Sequence, residues 1–361
     1  MNSEKVPHKR IALVEVGGSH DECLYSQCLF LHGHADTILV ITADLEPRVT
    51  ACKELVLSVK IFGFQSSQSF QWKNVWKLYR YLLEQKFDRV VFNTAQGGIK
   101  KLFILPFPRS MRLIGTIHNT HKFYKGIGQR IISSKIKKYL VLNDYLLPSV
   151  ASLKGLQFSS YYPAFFPKLA TPNQITKPAG ETWICIPGQV SLQRRDYLGL
   201  IKAVKQAELE SRWKFILLGN AKGNDGDMIK QQANELGLQS SFILFDAFVP
   251  YELLHAYMQL ADAVMPLIHP STPGFVLYQH HKITGAFNMA FAFKKPLLME
   301  ASFRGIEDFK ENAIFYDVQT LSEDIFTGTN GQSANTDGTL YQSAKWEFAF
   351  QQNNYLAFVL S

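Results

Sequence analysis

A chain of 361 residues is long enough for two domains of ordinary size. Its 47% hydrophobic and 19% charged residues exclude a mostly disordered chain, and its 13% aromatics supply bulk for large cores or apolar clefts. A net charge of +8 invites an anionic partner: nucleic acid, a membrane surface or a phosphorylated small molecule.

The first half alternates short apolar runs with amphipathic stretches. Ile11 to Val16 reads as a strand ending in Gly17-Gly18-Ser19, followed by a helix from about Asp21 to Gly33. Further strands are expected at 37–42, 89–92, 112–117 and 138–143, with a helix over 73–85 that gathers Val75, Leu78, Tyr79 and Leu82 on one face. Between Gly155 and Glu181 the period disappears, and Pro163, Pro167, Pro172 and Pro178 mark an interdomain crossing. The alternation then restarts. Strands are expected at 182–186, 213–218, 242–245, 263–267 and 295–299, and helices at 197–208, 227–236, 250–260 and 284–293. Gly328 to Gly338 reads as a loop, and Leu340 to Leu360 as an aromatic helix that must dock on something. Strands alternating with helices predict parallel α/β sheets, and no fixed-period repeat suggests a solenoid.

Four cysteines, Cys23, Cys28, Cys52 and Cys185, make no disulfide framework, so a reducing compartment is expected. The polar start, Met1 to Arg10, does not read as a signal peptide. The longest uncharged run, Ala263 to His281, is broken by Pro266, Pro270 and Pro273 and reads as a strand and loop rather than a membrane span. The expectation is a cytoplasmic protein, soluble or bound at a membrane surface.

Four stretches carry a resemblance. They are Ile186-Pro-Gly-Gln-Val-Ser-Leu-Gln-Arg-Arg-Asp-Tyr-Leu-Gly-Leu-Ile-Lys-Ala203, Phe215-Ile-Leu-Leu-Gly219, the helix from Leu253 running through Ala261-Asp-Ala-Val to Pro266, and the small-residue helix from Gly285 into Lys295-Pro-Leu-Leu298. In this order and spacing, over about 182–300, the second half resembles the C-terminal domain of GT-B glycosyltransferases, most like glycosyltransferase family 4. The first half fits loosely, through its glycine loop and Gly115-Thr-Ile-His-Asn119. The resemblance implies two Rossmann-like domains facing across a cleft, with the C-terminal helix crossing back to the N-terminal domain. The expected division is an acceptor-side domain over 1–155, a linker over 156–181, a nucleotide-sugar domain over 182–335 and the returning helix over 336–361. One departure stands out. Many family 4 enzymes carry two glutamates eight apart before the Gly-Lys-Pro equivalent. Here those positions hold His281 and Met289, and no glutamate lies between Glu252 and Glu300. The stereochemical outcome is left open.

A nucleotide diphosphate needs cations and oriented N–H groups as it departs. The resemblance puts Gly188, Arg194 and Arg195 at the diphosphate, although a solvated pair at a helix start reads the same way. Lys282-Ile-Thr-Gly285 adds a cation, a capping threonine and a glycine that admits a close ligand, so Lys282, Thr284 and Gly285 complete the expected donor site. By resemblance, His118, with Asn119 and His121 nearby, faces the donor sugar. The loop of Gly17, Gly18 and His20 faces the acceptor, with Asp21, Glu22 or His20 as base. Acidic residues in a first helical turn are also ordinary capping chemistry. Gly17-Gly18 is no dinucleotide fingerprint, Asp225-Gly226-Asp227 reads as capping rather than a metal motif, and His20, Cys23, Cys28, His32 and His34 match no zinc spacing. No metal and no cofactor beyond the donor, with a UDP-sugar favoured, is expected.

The positive charge is local. Between Arg89 and Asn143 there are seven lysines, four arginines and no acid, so this stretch carries +11 and the remainder −3. Apolar residues from Leu102 to Phe107 and from Phe123 to Ile132 interleave with it, the pattern of a surface that binds anionic lipid. No nucleic-acid motif supports the rival reading. The expectation is a transferase that moves a sugar to a lipid-linked or surface glycan, peripheral on the inner face of the membrane. The alternatives are a nucleotide-sugar epimerase of the same fold and a non-catalytic binding protein.

Overall fold

The computed structural model describes residues 9–169, 175–209, 212–327 and 340–361; the loop expected at Gly328 to Gly338 lies outside them. The chain divides into two compact units, Met1–Pro167 with Glu347–Ser361, and Lys168–Trp346.

The first unit holds β1 (Lys9–Glu15), β2 (Ala35–Thr42), β3 (Ser58–Phe62), β4 (Arg89–Phe92), β5 (Arg112–Ile117), β6 (Lys138–Leu142) and β7 (Gln157–Tyr161). They form one parallel sheet in the order β3-β2-β1-β4-β5-β6-β7. Ile11-Ala-Leu-Val is wholly buried because both faces of a parallel sheet are covered by crossover helices. Helices α1 (Leu24–Leu31), α2 (Trp72–Glu84) and α3 (Ile127–Lys135) supply that cover. The chain first runs outward from β1 to β3 and then returns to the far side of β1. Right-handed crossovers in opposite directions place α1 on one face and α2 and α3 on the other, where both pack on the 3-10 segment Gly97–Ile104. The reversal makes the β1–β4 junction the topological switch point, where a crevice opens at the carboxyl ends of parallel strands.

Two strands of this unit were not expected, nor was Ala313–Tyr316 in the second. Both β3 and β7 sit at the sheet edges, and their mixed polar and apolar residues give a weak pattern because only one neighbour strand and part of each face is buried. β7 falls in the stretch whose prolines read as the interdomain crossing.

The second unit holds β8 (Thr182–Pro187), α4 (Tyr197–Gln206), β9 (Trp213–Asn220), α5 (Asn224–Glu235), β10 (Phe242–Phe245), α6 (Tyr251–Leu260) and β11 (Ala263–Val264). It continues with α7 (Phe275–His280), α8 (Gly285–Ala292), β12 (Leu297–Glu300), α9 (Glu307–Lys310) and β13 (Ala313–Tyr316). The parallel order is β10-β9-β8-β11-β12-β13, with its switch point between β8 and β11. β11 stops well short of Leu267, because Pro266 has no N–H for the ladder and Leu267 turns to φ 54°. The uncharged run beyond it contains α7 rather than loop alone.

The expected helix over 340–360 is a 3-10 turn at Ala344–Trp346 and α-helical only over α10 (Phe348–Leu360). Trp346 stays with the second unit, its ring 4.6 Å from Phe291 and 5.3 Å from Tyr341. α10 belongs to the first unit, where Tyr355 packs 5.3 Å from Phe30 and 5.4 Å from Tyr161. Two parallel α/β units with the last helix returned to the first match the expected fold class.

Candidate functional site

At the β1–β4 junction the strand ends carry polar side chains. Glu15 closes β1 and is buried, although the run before it is wholly apolar. Its Oε1 accepts from the Gly17 backbone N–H at 2.6 Å, and its Oε2 accepts from Asn93 Nδ2 at 2.7 Å and from the Thr94 hydroxyl at 2.6 Å. Burial pushes its pKa up to about 7 against these hydrogen bonds. The Gly17–Gly18 turn must be glycine at its second position. Gly18 has φ 72°, and a Cβ there would lie 2.1 Å from Ser66 Oγ.

His20 follows in the left-handed region, at φ 66° and ψ 23°. Its imidazole stacks on His118, with centroids 3.6 Å apart and planes 7° from parallel. His118 sits beyond the end of β5. Its Nε2–H donates to the Asn93 carbonyl at 2.6 Å, which leaves Nδ1 as the bare nitrogen, buried and without a partner among the described residues. Burial, then the neighbouring His20, holds its pKa well below the usual histidine range, so the ring is neutral. Burial also lowers His20, but the Glu22 carboxylate at 3.4 Å, with Glu15 and Asp21 behind it, outweighs that and raises its pKa. Asp21 instead faces Arg48, at 3.4 Å. The structure thus gathers Gly17, Gly18, His20, Glu22 and His118 around one stacked imidazole pair, with Asp21 turned to Arg48. Glu15 and Asn93 were not among the expected site residues; the signal for Glu15 is a carboxylate directly after a buried apolar run.

In the second unit, the β8–β11 junction carries the other set. Gly188 has φ 111°, and a Cβ on it would meet the Arg195 guanidinium at 2.6 Å. Gly219 must also lack a side chain, since its Cβ would fall 2.1 Å from the Gly188 carbonyl. Arg195 is buried. It donates to the carbonyls of Pro187 at 2.5 Å and Gln189 at 3.1 Å and to Thr284 Oγ1 at 3.4 Å, while its Nε has no partner among the described residues. Its guanidinium therefore pins the Gly188 turn to the start of α8, whereas Arg194 is exposed. Thr284 caps α8 by accepting from Ala286 N–H, and Gly285 beside it is open. Lys282 extends over the Tyr278 ring at 3.9 Å.

A buried chain unforeseen in the sequence supports this edge. His269 Nδ1 meets Asp196 Oδ2 at 2.7 Å and its Nε2 meets the Tyr316 hydroxyl at 2.7 Å, while Asp196 Oδ1 caps α4 through Gly199 N–H at 2.9 Å. The His269 hydrogen bond is the main reason the Asp196 carboxyl is held below its usual range. Asp225, in the first turn of α5, accepts from the Leu192 N–H at 3.0 Å and so ties α5 to the loop after β8 rather than capping its own helix. Among the described residues no three His, Cys, Asp or Glu side chains come close enough to hold a metal ion. A cavity of about 460 Å³ lies at the amino ends of β12 and β13, lined by Pro296, Lys310 and Ala313 among others, away from every candidate residue.

The basic stretch is divided. Arg89 is buried, and its guanidinium donates to the carbonyls of Val359, Leu360 and Ser361 at 2.7, 2.6 and 2.9 Å. Arg112 reaches the Ser361 carbonyl at 2.9 Å, and Lys138 reaches the Phe358 carbonyl at 2.9 Å. These three cations serve the end of α10. Lys100, on 97–104, Arg130, on α3, and Lys122 and Lys125, between β5 and α3, are exposed. Trp72 (55% exposed), Trp76 (52%), Ile104 (57%) and Ile127 (73%) stand on the same packed group of α2, 97–104 and α3. Among the described residues no helix is long and apolar enough to cross a membrane.

No protein-family model matches the chain, and no curated protein does. Solved structures match over nearly its full length. A glycosyltransferase from Rickettsia africae ESF-5 shares 12% identity over 98% of this chain and 95% of its own, with a TM-score of 0.61. HepE (Alr3699) of Anabaena, solved in complex with UDP and glucose, shares 16% identity over 98% and 95%, also at 0.61. A putative UDP-N-acetylglucosamine 2-epimerase from Listeria monocytogenes shares 8% over 88% and 86%, at 0.59. The fold is the GT-B fold, two parallel α/β domains in series.

Proposed function

We propose that this protein is a metal-independent glycosyltransferase, most like family 4, that moves a sugar from a nucleotide diphosphate donor to a hydroxyl of a lipid-linked or surface glycan. The carrying observation is the β8–β11 junction. There a glycine turn, the capped amino end of α8 with the open Gly285, and Lys282 offer N–H groups and a cation at the carboxyl edge of a parallel sheet. That is the chemistry a departing diphosphate requires. HepE, of like fold and solved with UDP and glucose, supports UDP as the nucleotide. In this reading Gly188, Thr284, Gly285, Lys282 and the exposed Arg194 bind the donor, and Arg195 braces the turn.

The first unit serves the acceptor. The His20–Glu22 pair suits a base better than Asp21, which is engaged with Arg48. As the acceptor oxygen bonds to the sugar carbon and the bond to the diphosphate breaks, the hydroxyl proton passes to His20. The bare Nδ1 of neutral His118 accepts a hydrogen bond from a sugar hydroxyl. The exposed cations and tryptophans of the first unit suit an anionic membrane surface, which would hold the protein on the inner face of the membrane.

Thermal-shift titration with UDP, GDP, CMP and their sugars tests the donor assignment. Stabilisation by UDP or a UDP-sugar is expected, and Lys282→Ala should weaken that binding about tenfold. Unaltered affinity in the variant rejects the role of Lys282, and silence across the whole panel rejects the transferase. The Listeria epimerase favours a second reading. Epimerisation of a free UDP-sugar with no acceptor present would establish it in place of transfer.

A further inference from the structure

We propose that Glu15 and Asn93 are positioning residues, which hold His20 and His118 in their stack and govern when His20 carries a proton. The proposal rests on His20 being the acceptor-side base. Asn93, at the end of β4, is the hub. Its Nδ2 donates to Glu15 Oε2 at 2.7 Å and to the His20 carbonyl at 2.9 Å, and its backbone carbonyl accepts from His118 Nε2. One residue therefore fixes the backbone of one imidazole and the ring of the other. A non-glycine residue in the left-handed region relaxes unless its surroundings hold it, and the bond to the His20 carbonyl opposes that relaxation. Asn93 is itself held, since its Oδ1 accepts from Gln27 Nε2 at 2.6 Å, and Gln27 Oε1 accepts from the Tyr355 hydroxyl of α10 at 3.0 Å.

Glu15 lies behind the glycine turn. Buried carboxyl groups persist only where donors meet them, and three converge here. The Thr94 hydroxyl can donate to a carboxylate or accept from a carboxylic acid, so Glu15 keeps its partners in either protonation state. The groups around His20 are few. Asp21, Glu22 and Cys23 lie on its own turn, Glu15 comes from β1, His118 from the end of β5, and Arg48 pairs with Asp21. Two imidazolium rings 3.6 Å apart would repel strongly, so the stack takes one proton. His118 is buried with its only N–H committed to Asn93, which leaves His20, beside the acids, as the ring that takes it.

The test uses the full chain and the near-isosteric Glu15→Gln, with Asn93→Ala as the second variant. The imidazole resonances of His20, identified by their loss in His20→Gln, are followed by NMR against pH. In Glu15→Gln the midpoint of His20 should fall, with proton affinity lower by about threefold or more. The acid limb of kcat/KM should move to lower pH with it. Asn93→Ala should lower kcat about tenfold or more while UDP binding by the second unit is unchanged. An unmoved His20 midpoint in a folded Glu15→Gln protein overturns the proposal. So does full turnover in a folded Asn93→Ala protein. Should Asn93→Ala not fold, the Glu15→Gln titration decides alone. The titration needs no substrate, so failure of the transferase reading is seen separately, as absent donor binding with the His20 shift intact.

Discussion

Glu15 is a carboxyl group that directly follows the buried apolar run Ile11 to Val14, and its burial makes folding sensitive to pH. The folded state keeps this proton to about pH 7, against 4.5 for an unperturbed glutamate. Because the folded pKa is raised, the contribution is full below pH 4.5 and is lost as pH rises through 7. The window corresponds to at most about 3 kcal/mol. Urea denaturation of Glu15→Gln should therefore show a flatter dependence of stability on pH across this range than the native chain. Equal slopes would mean that Glu15 titrates normally. The residue scale is also where the sequence was least legible. Thr284 could be read as a cap from its place before Gly285 and an apolar helix. Asn93 and His269 could not, because their roles depend on strands far apart in sequence whose ends meet only in the folded sheet. Arg195 was read as a phosphate contact because its type and position fit one. Only the folded turn reveals the three oxygens that occupy its guanidinium.

At the scale of elements, α10 is joined to the first unit both by packing and by charge. Its aromatic face covers α1 and β7, and Arg89, Arg112 and Lys138 meet the unsatisfied carbonyls of its last turn, where cations are favoured by the helix dipole. Arg89 alone makes three of these bonds from a buried position. Arg89→Ala should cost about 2–4 kcal/mol and strip α10 of hydrogen-exchange protection, whereas the exposed Arg112→Ala should cost under about 1 kcal/mol. Protection of α10 as strong as in the native chain would refute the clamp. The buried strands β1, β2, β4, β5 and β6 were legible as apolar runs. The edge strands β3, β7 and β13 were not, for they bury too little to need a regular pattern, whereas the apolar edge strand β10 was.

At the scale of the whole molecule, the local charge of +11 is divided. Arg89, Arg112 and Lys138 close a helix, while the exposed Lys100 and Arg130 stand on the same packed group of elements as Trp72, Trp76, Ile104 and Ile127. Their surface adds α2 to the one expected from 89–143 alone. Its occupant in the proposed function is an anionic bilayer, since cations attract headgroups and interfacial tryptophans favour the boundary with the acyl chains. The chain should sediment with phosphatidylglycerol-containing vesicles and not with pure phosphatidylcholine. Replacing Trp72 and Trp76 together by Ala should weaken that binding about tenfold and leave the melting temperature unchanged. Equal sedimentation of the double variant would remove the membrane from this face.

By itself the sequence determined the architecture: two parallel α/β units, their buried strands, the glycine turns after the first strand of each unit, and the local concentration of charge. Apolar period, glycine and net charge are properties of neighbouring residues, and short segments carry them whole. The tertiary structure decided which of the candidates meet. It stacked His20 on His118, set Glu15 and Asn93 beneath them, turned Asp21 to Arg48, and drew Arg195 inward. Those outcomes depend on strand order and on burial, which raises, lowers or silences a charge according to what surrounds it, and neither is written in any one stretch of the chain.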